Sequence, residues 1–215
     1  MPSKHVLRSF RENSYYHIFN RGVEKRPIFL DGDDYQLFQH YLFTYLRPIE
    51  EVLEKESDTP LRLIDKSLSG ELELLAYCLM PNHFHLLLKQ KSRDAVPRLL
   101  KQLTNAYTYY FNQKYQRVGA LMQGRYKAAQ VNDEKLLIHL MRFIHLNPLS
   151  ERLPGSLDTY RWASYREYLG NEAELPVSKG KILNYFPSVG AFKGFHEDQK
   201  DYIRSLEKIG DLAID

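Results

Sequence analysis

The sequence predicts an α+β fold: an antiparallel sheet in the split βαβ order of a ferredoxin-like domain, with helices on one face. Three observations predict it. Runs rich in aromatic and apolar residues, bounded by glycine, proline or polar residues, occur at 15–21, 72–80, 83–91 and 126–131, and read as strands. Apolar residues recur at helical spacing over 31–46, 97–115 and 134–146. Taken in order, these segments run strand, helix, strand, strand, helix, strand, helix. The 215 residues, 43% of them hydrophobic, suffice for one such domain and its core. It is expected over residues 1–170, with a tail over 171–215 that carries a short helix from Glu197 to Ile209.

Residues 1–14 are polar and basic and read as a loose arm. Tyr15 to Arg21 is the first strand, ended by Gly22. Asn20 and Arg21 then stand at a strand end, where polar groups either face a ligand or only serve the turn. The first helix runs from Asp31 to Leu46, with Leu37, Tyr41 and Tyr45 at helical spacing and Phe38 and Leu42 beside them. Asp31, Asp33 and Asp34 oppose the macrodipole at its start. Residues 50–70 are charged and read as an exposed excursion. Leu72–Met80 and His83–Lys91 are strands joined by Pro81-Asn82, a connection short enough to make them antiparallel neighbours.

The second long helix spans Pro97 to Tyr115, with Leu99, Leu103, Ala106 and Tyr110 as its inward stripe and Tyr107, Tyr109 and Tyr115 partly spare. A glycine-bracketed loop, Gly119 to Arg125, leads into the fourth strand. Gln123, Arg125 and Lys127 can meet phosphates and bases from there, or be ordinary surface residues. The third helix, Glu134 to Leu146, buries Leu136, Leu137, Leu140 and Ile144. It is expected to end at Asn147-Pro148, because a proline disfavours the helical conformation of the residue before it. Residues 156–170, with Trp162, Tyr165 and Tyr168, read as a packed irregular segment.

Charge is unevenly spread. The net charge is only +3, but eight acidic and two basic residues fall between Asp31 and Asp58, and nine basic and one acidic between Lys89 and Lys127. This gives the fold a positive side that suits a polyanion. Cys78 is the sole cysteine, so no internal disulfide forms. No apolar run reaches the length of a membrane span, and the N-terminus has no signal-peptide core. The expectation is a cytoplasmic protein with no membrane partner.

The stretch with most chemical content is Met80-Pro-Asn-His-Phe-His85. In a strand, His83 and His85 share one face and Phe84 points to the other, into a core. Two neutral imidazoles side by side can hold a divalent cation. A bare His-x-His in a half-buried strand is as readily two structural histidines.

Four motifs in order narrow this: Tyr16-His-Ile-Phe-Asn-Arg-Gly22, Met80 to His85, Gln123-Gly-Arg-Tyr126, and Arg142-Phe-Ile-His-Leu-Asn-Pro148. Together they resemble the single-tyrosine transposases of the HUH endonuclease class, and among them most closely the REP-associated tyrosine transposases. The resemblance covers roughly residues 10–170 and implies a ferredoxin-like fold, a divalent metal (Mg²⁺ or Mn²⁺), and cleavage and rejoining of single-stranded DNA beside a hairpin of REP-like palindromic sequence. His83 and His85 match the family's metal histidines, and Asn147 the polar residue that completes the site. Arg21, Arg125 and Lys127 are the candidate phosphate contacts, and Asn20 and Gln123 nearby polar contacts. Members act as monomers or homodimers.

Position 143 departs from the pattern. The family carries its nucleophilic tyrosine there, which attacks the scissile phosphate and is held as a 5′-phosphotyrosine. Phe143 has the shape but no hydroxyl. The chain is then a binding-only descendant, or another tyrosine (Tyr107, Tyr109 or Tyr126) substitutes, or the phenylalanine is a deliberate change that traps a DNA complex. A rival from another class is a non-catalytic module with an RRM-like sheet, whose aromatics stack single-stranded bases while the histidines are structural. A weaker third is a hydrolase that uses metal-activated water, which lacks an evident general base.

Overall fold

A computed structural model describes residues 9–55, 66–151, 153, 156–170 and 175–198 of the chain. Four strands form one sheet: β1 (Ser14–Arg21), β2 (Leu72–Met80), β3 (His83–Gln90) and β4 (Lys127–Val131). Their spatial order is β2-β3-β1-β4, and every neighbouring pair is antiparallel. This is the split βαβ order expected from the sequence. The first four α-helices among the described residues are α1 (Gly32–Leu46), α2 (Ile49–Lys55), α3 (Ala95–Lys114) and α4 (Glu134–Ser150). Three short ones follow, α5 (Tyr165–Tyr168), α6 (Gly180–Leu183) and α7 (Val189–Glu197). The helix expected from Glu197 to Ile209 falls, beyond residue 198, outside the described residues.

Helices α1 and α3 pack on one face of the sheet. Tyr16, Ile18, Leu74, Tyr77, Leu79, Phe84, Leu86 and Leu88 point that way, against Phe38 and Leu42 of α1 and Leu99, Leu103 and Tyr107 of α3. Phe84 is fully buried and meets Phe38 at 5.2 Å. Truncating a phenylalanine in such a site to alanine costs about 3–5 kcal/mol. The inward stripe of α3 differs from the expectation. Tyr107 is fully buried, and its hydroxyl donates to the Ile28 carbonyl at 2.5 Å, while Ala106 and Tyr110 lie at the margin.

The start of α1 is joined to the end of α3. Asp31 and Asp34 form a reciprocal capping box, and the buried Asp34 carboxylate also receives the Leu30 N–H, the Tyr115 hydroxyl and the Lys114 ammonium. The acidic cluster thus does more than offset a dipole. It clamps two helices over the sheet.

The opposite face is where structure and expectation part. The strand pattern leaves it open, but α4 lies across it. Leu137, Leu140, Met141 and Ile144 pack with Ala76, Cys78, Met80, Leu87 and Val131, and α5 and α7 add Tyr165, Tyr168 and Phe192. Both surfaces are apolar and exclude water by meeting. The helix also runs one turn past Asn147, with Pro148 inside it. A proline in the last turn removes one donor without stopping the chain there. The segment after α4 covers the free edge of β2: Leu79 N–H donates to Trp162 O, Ser164 N–H to Tyr77 O, and Ser178 N–H to Leu74 O. An uncovered edge would present those groups to any passing strand.

Candidate active site

The β2–β3 hairpin turns in two residues, Pro81 and Asn82, with Met80 paired to His83. The register of β1 on β3 sets Arg21 opposite His83 and Phe19 opposite His85. Since side chains alternate along a strand, His17, Phe19 and Arg21 share the face of His83 and His85. That is the face α4 crosses. The site is therefore built from two central strands below and one helix above.

His83 and His85 lie with ring centroids 4.9 Å apart and planes nearly perpendicular. His83 is partly exposed and His85 is buried. Burial, then the neighbouring His17 and His83, hold the His85 pKa well below the ordinary imidazole value, so it stays neutral, as a metal ligand must. His83 Nδ1 lies 2.6 Å from Asn82 Oδ1, an acceptor that fixes the proton on Nδ1 and leaves Nε2 as the lone-pair nitrogen. His83 Nε2 in turn faces Asn147 Oδ1 at 3.4 Å. Among the described residues no three His, Cys, Asp or Glu side chains converge on one point. The donors gathered at His83 are a mixed set of imidazole and amide, and they suit a divalent cation that accepts nitrogen and oxygen.

Phe143 is held one turn before Asn147, and its carbonyl accepts from the Asn147 amide at 3.4 Å. From Leu140 to Pro148 every residue except Phe143 is buried. Its ring stands edge-on to His85 at 5.7 Å and to His17 at 6.3 Å. None of the substitute tyrosines shares this surroundings. Tyr107 and Tyr126 pack with the core on the far face of the sheet, and Tyr109 is exposed on α3.

The cationic residues gather at the same end of the sheet. Gly22 bridges to Met122, Gln123 N–H donates to Arg21 O at 2.7 Å, and Arg21 Nε donates to Gln123 Oε1 at 2.6 Å. A Cβ on Gly22 would lie 2.1 Å from the Arg26 carbonyl, so only glycine fits the turn behind Arg21. Asn20 is buried and acts as a clamp, accepting from Arg21 N–H at 2.9 Å and donating to Gly124 O at 3.3 Å. Lys127 pairs with Phe19 across the strands and sets its ammonium 5.7 Å from that ring. The Arg125 guanidinium lies over Tyr126 at 5.4 Å.

Two neighbours escaped the sequence reading. His17 Nε2 is 2.8 Å from His85 Nδ1, and Glu151 Oε1 is 3.8 Å from His83 Nε2. The signal for His17 was its alternation with Phe19 and Arg21, which carries meaning only once β1 is placed beside β3. Glu151 follows Asn147 at one helical turn, beyond the proline where the helix was expected to stop.

Residues 49–147 match the family model described as IS200-like transposase, a span that holds the histidine pair, Phe143 and Asn147. A REP-associated tyrosine transposase, solved bound to a REP hairpin, superposes with a TM-score of 0.53 at 14% identity, over 84% of this chain and 93% of that one. A putative transposase from Deinococcus radiodurans matches with a TM-score of 0.36 at 14% identity, over 73% of this chain and 99% of that one. No curated protein matches.

Proposed function

We propose that the chain, whose residues 49–147 match the IS200-like transposase model, binds single-stranded hairpin DNA across the end of its sheet and holds a divalent cation with His83, His85 and Asn147. The observation that carries this is the position of Phe143. A partly exposed aromatic ring stands against a neutral, buried histidine, and its own carbonyl orients the amide of Asn147. Nucleophile position and ligand position thus share one helix face, four residues apart.

His83, His85 and Asn147 would hold the cation, which when bound would supply positive charge to polarise the scissile phosphate. Arg21, Arg125 and Lys127 neutralise flanking phosphates, and Gln123 holds the Arg21 guanidinium in place. A tyrosine at 143 offers its hydroxyl to the phosphorus atom; Phe143 keeps the ring and removes the attack. The chain as it stands binds without forming a covalent adduct.

The RRM-like alternative needs an open sheet face for stacking bases. One face is covered by α1 and α3 and the other by α4. The water-activating hydrolase has no observation in its favour beyond the shared metal residues.

The test is fluorescence anisotropy with a labelled single-stranded hairpin across a salt series. Three phosphate contacts predict a slope of about −2 in log affinity against log salt, at about 0.7 per contact. An affinity that stays flat from low to physiological salt overturns the DNA reading.

A further inference from the structure

Three lone-pair atoms come together at His83: its own Nε2, Asn147 Oδ1 and Glu151 Oε1. Asn82 Nδ2 donates to the Lys25 carbonyl at 3.4 Å, which turns Asn82 Oδ1 toward His83 Nδ1. An amide oxygen only accepts, so the proton of a neutral His83 sits on Nδ1 and Nε2 presents its lone pair. Asn147 is oriented in the same way. Its Nδ2 donates to Phe143 O, and its Oδ1 faces His83 Nε2 at 3.4 Å. The third donor is the carboxylate of Glu151, 3.8 Å from the same nitrogen. An imidazole nitrogen with an amide oxygen and a carboxylate oxygen 3.4 and 3.8 Å from it presents donor types that a divalent cation takes together.

Glu151 is well placed for the cation. It caps the C-terminal end of α4, and its N–H donates to the Asn147 carbonyl, so ligand and carboxylate are linked through one turn of backbone. Its side chain is 44% exposed and that of His83 15%, which leaves the point between them reachable from solvent. Two ligands of one octahedral cation lie about 3 Å apart when adjacent and about 4 Å when opposite. The separations at His83 fall between these values. His83, His85 and Asn147 are neutral donors, whereas hard cations such as Mg²⁺ and Mn²⁺ favour oxygen and negative charge.

We propose that Glu151 is the anionic ligand of the cation site, acting with His83 and Asn147. The inference rests on the metal reading given above and adds a residue to it. The negative charge on the metal then comes from the last turn of α4, carried by the helix past Pro148.

Calorimetric titration with Mn²⁺ alone tests this on the full chain, comparing the native protein with Glu151→Gln and His83→Ala. Circular dichroism confirms that each variant is folded. The expected result is Mn²⁺ binding by the native chain, at least tenfold weaker binding by Glu151→Gln, and none by His83→Ala. If Glu151→Gln binds as tightly as the native chain while His83→Ala does not, Glu151 is only an ion-pair partner of a protonated His83. The inference then fails and the metal reading stands. If the native chain takes up no Mn²⁺, the metal reading itself fails and the assignment of Glu151 goes with it.

Discussion

His17 Nε2 and His85 Nδ1 lie 2.8 Å apart with their rings nearly parallel. One of the two nitrogens must donate and the other accept, so each ring sets the tautomer of the other. When His85 Nδ1–H donates to His17 Nε2, the lone pair of His85 Nε2 is left for a ligand. Replacing His17 with phenylalanine keeps the stacked ring and deletes the hydrogen bond. The expected cost is about 1–3 kcal/mol of stability, because a buried imidazole nitrogen loses its partner. Mn²⁺ affinity falls about 10–100-fold, as for other residues that orient a metal histidine. Denaturant unfolding and Mn²⁺ titration read the two effects separately. A variant with native metal affinity would show that His17 is mere packing.

Tyr107 is excluded as a stand-in nucleophile by its place on the far face of the sheet, where its hydroxyl is spent on Ile28 O. Tyr107→Phe is expected to lose about 1 kcal/mol of stability and to bind hairpin DNA as before. A large drop in DNA affinity with unchanged stability would place Tyr107 in the interface after all.

The guanidinium of Arg21, held by Gln123, is expected to meet a phosphate. Arg21→Ala should weaken binding for all hairpin sequences alike and reduce the salt slope by about 0.7. Gln123→Ala should do the same to a smaller degree by freeing the guanidinium. Anisotropy at several salt concentrations measures both. An unchanged slope in Arg21→Ala would remove it from the set of contacts.

Acid stability follows from a second histidine pair. His145 Nδ1 lies 3.1 Å from His196 Nε2 in the layer between α4 and α7. Burial lowers the His196 pKa to about 4, with the Phe192 carbonyl opposing and the Arg142 cation assisting. Burial and His196 push His145 well below the ordinary range. Both folded values lie under the unfolded value of about 6.5, so the unfolded chain binds more protons as the pH falls. The stability from neutral His196 is complete above about pH 6.5 and is lost as the pH falls toward 4. Between pH 7 and pH 4.5 that loss is about 2–3 kcal/mol. His196→Gln should flatten that part of the decline. Parallel pH profiles for the native chain and the variant would contradict the assignment.

The four strands, the three long helices and the strand pairing were legible in the sequence because each rests on local chemistry. Pro81-Asn82 permits only a tight hairpin, and the alternation about Phe84 sets which residues face the core. What could not be read was the placement of α4. Its stripe of Leu137, Leu140 and Ile144 shows that the helix is buried without saying against which face. Pro148 marks a weak point in a helix, but Leu146 and Asn147 are buried and the helix continues through the proline to Ser150. Glu151 was hidden by that continuation, and His17 by the need to know which strand lies beside β3. The proposed ligands His83, His85 and Asn147 stand out in the sequence because they lie in short motifs. Their neighbours lie in other motifs or in none, and only the fold brings them together.

Position 143 is the centre of the account, and one assay tests it directly. Labelled single-stranded hairpin DNA is incubated with Mn²⁺ and the native chain, Phe143→Tyr, or Phe143→Tyr combined with His83→Ala, and resolved on a denaturing gel. The account predicts a cleaved product and a covalent protein–DNA band with Phe143→Tyr alone. Cleavage by the native chain would contradict it, because the attacking group would then lie elsewhere. So would a Phe143→Tyr protein that binds both the hairpin and Mn²⁺ yet forms no covalent band.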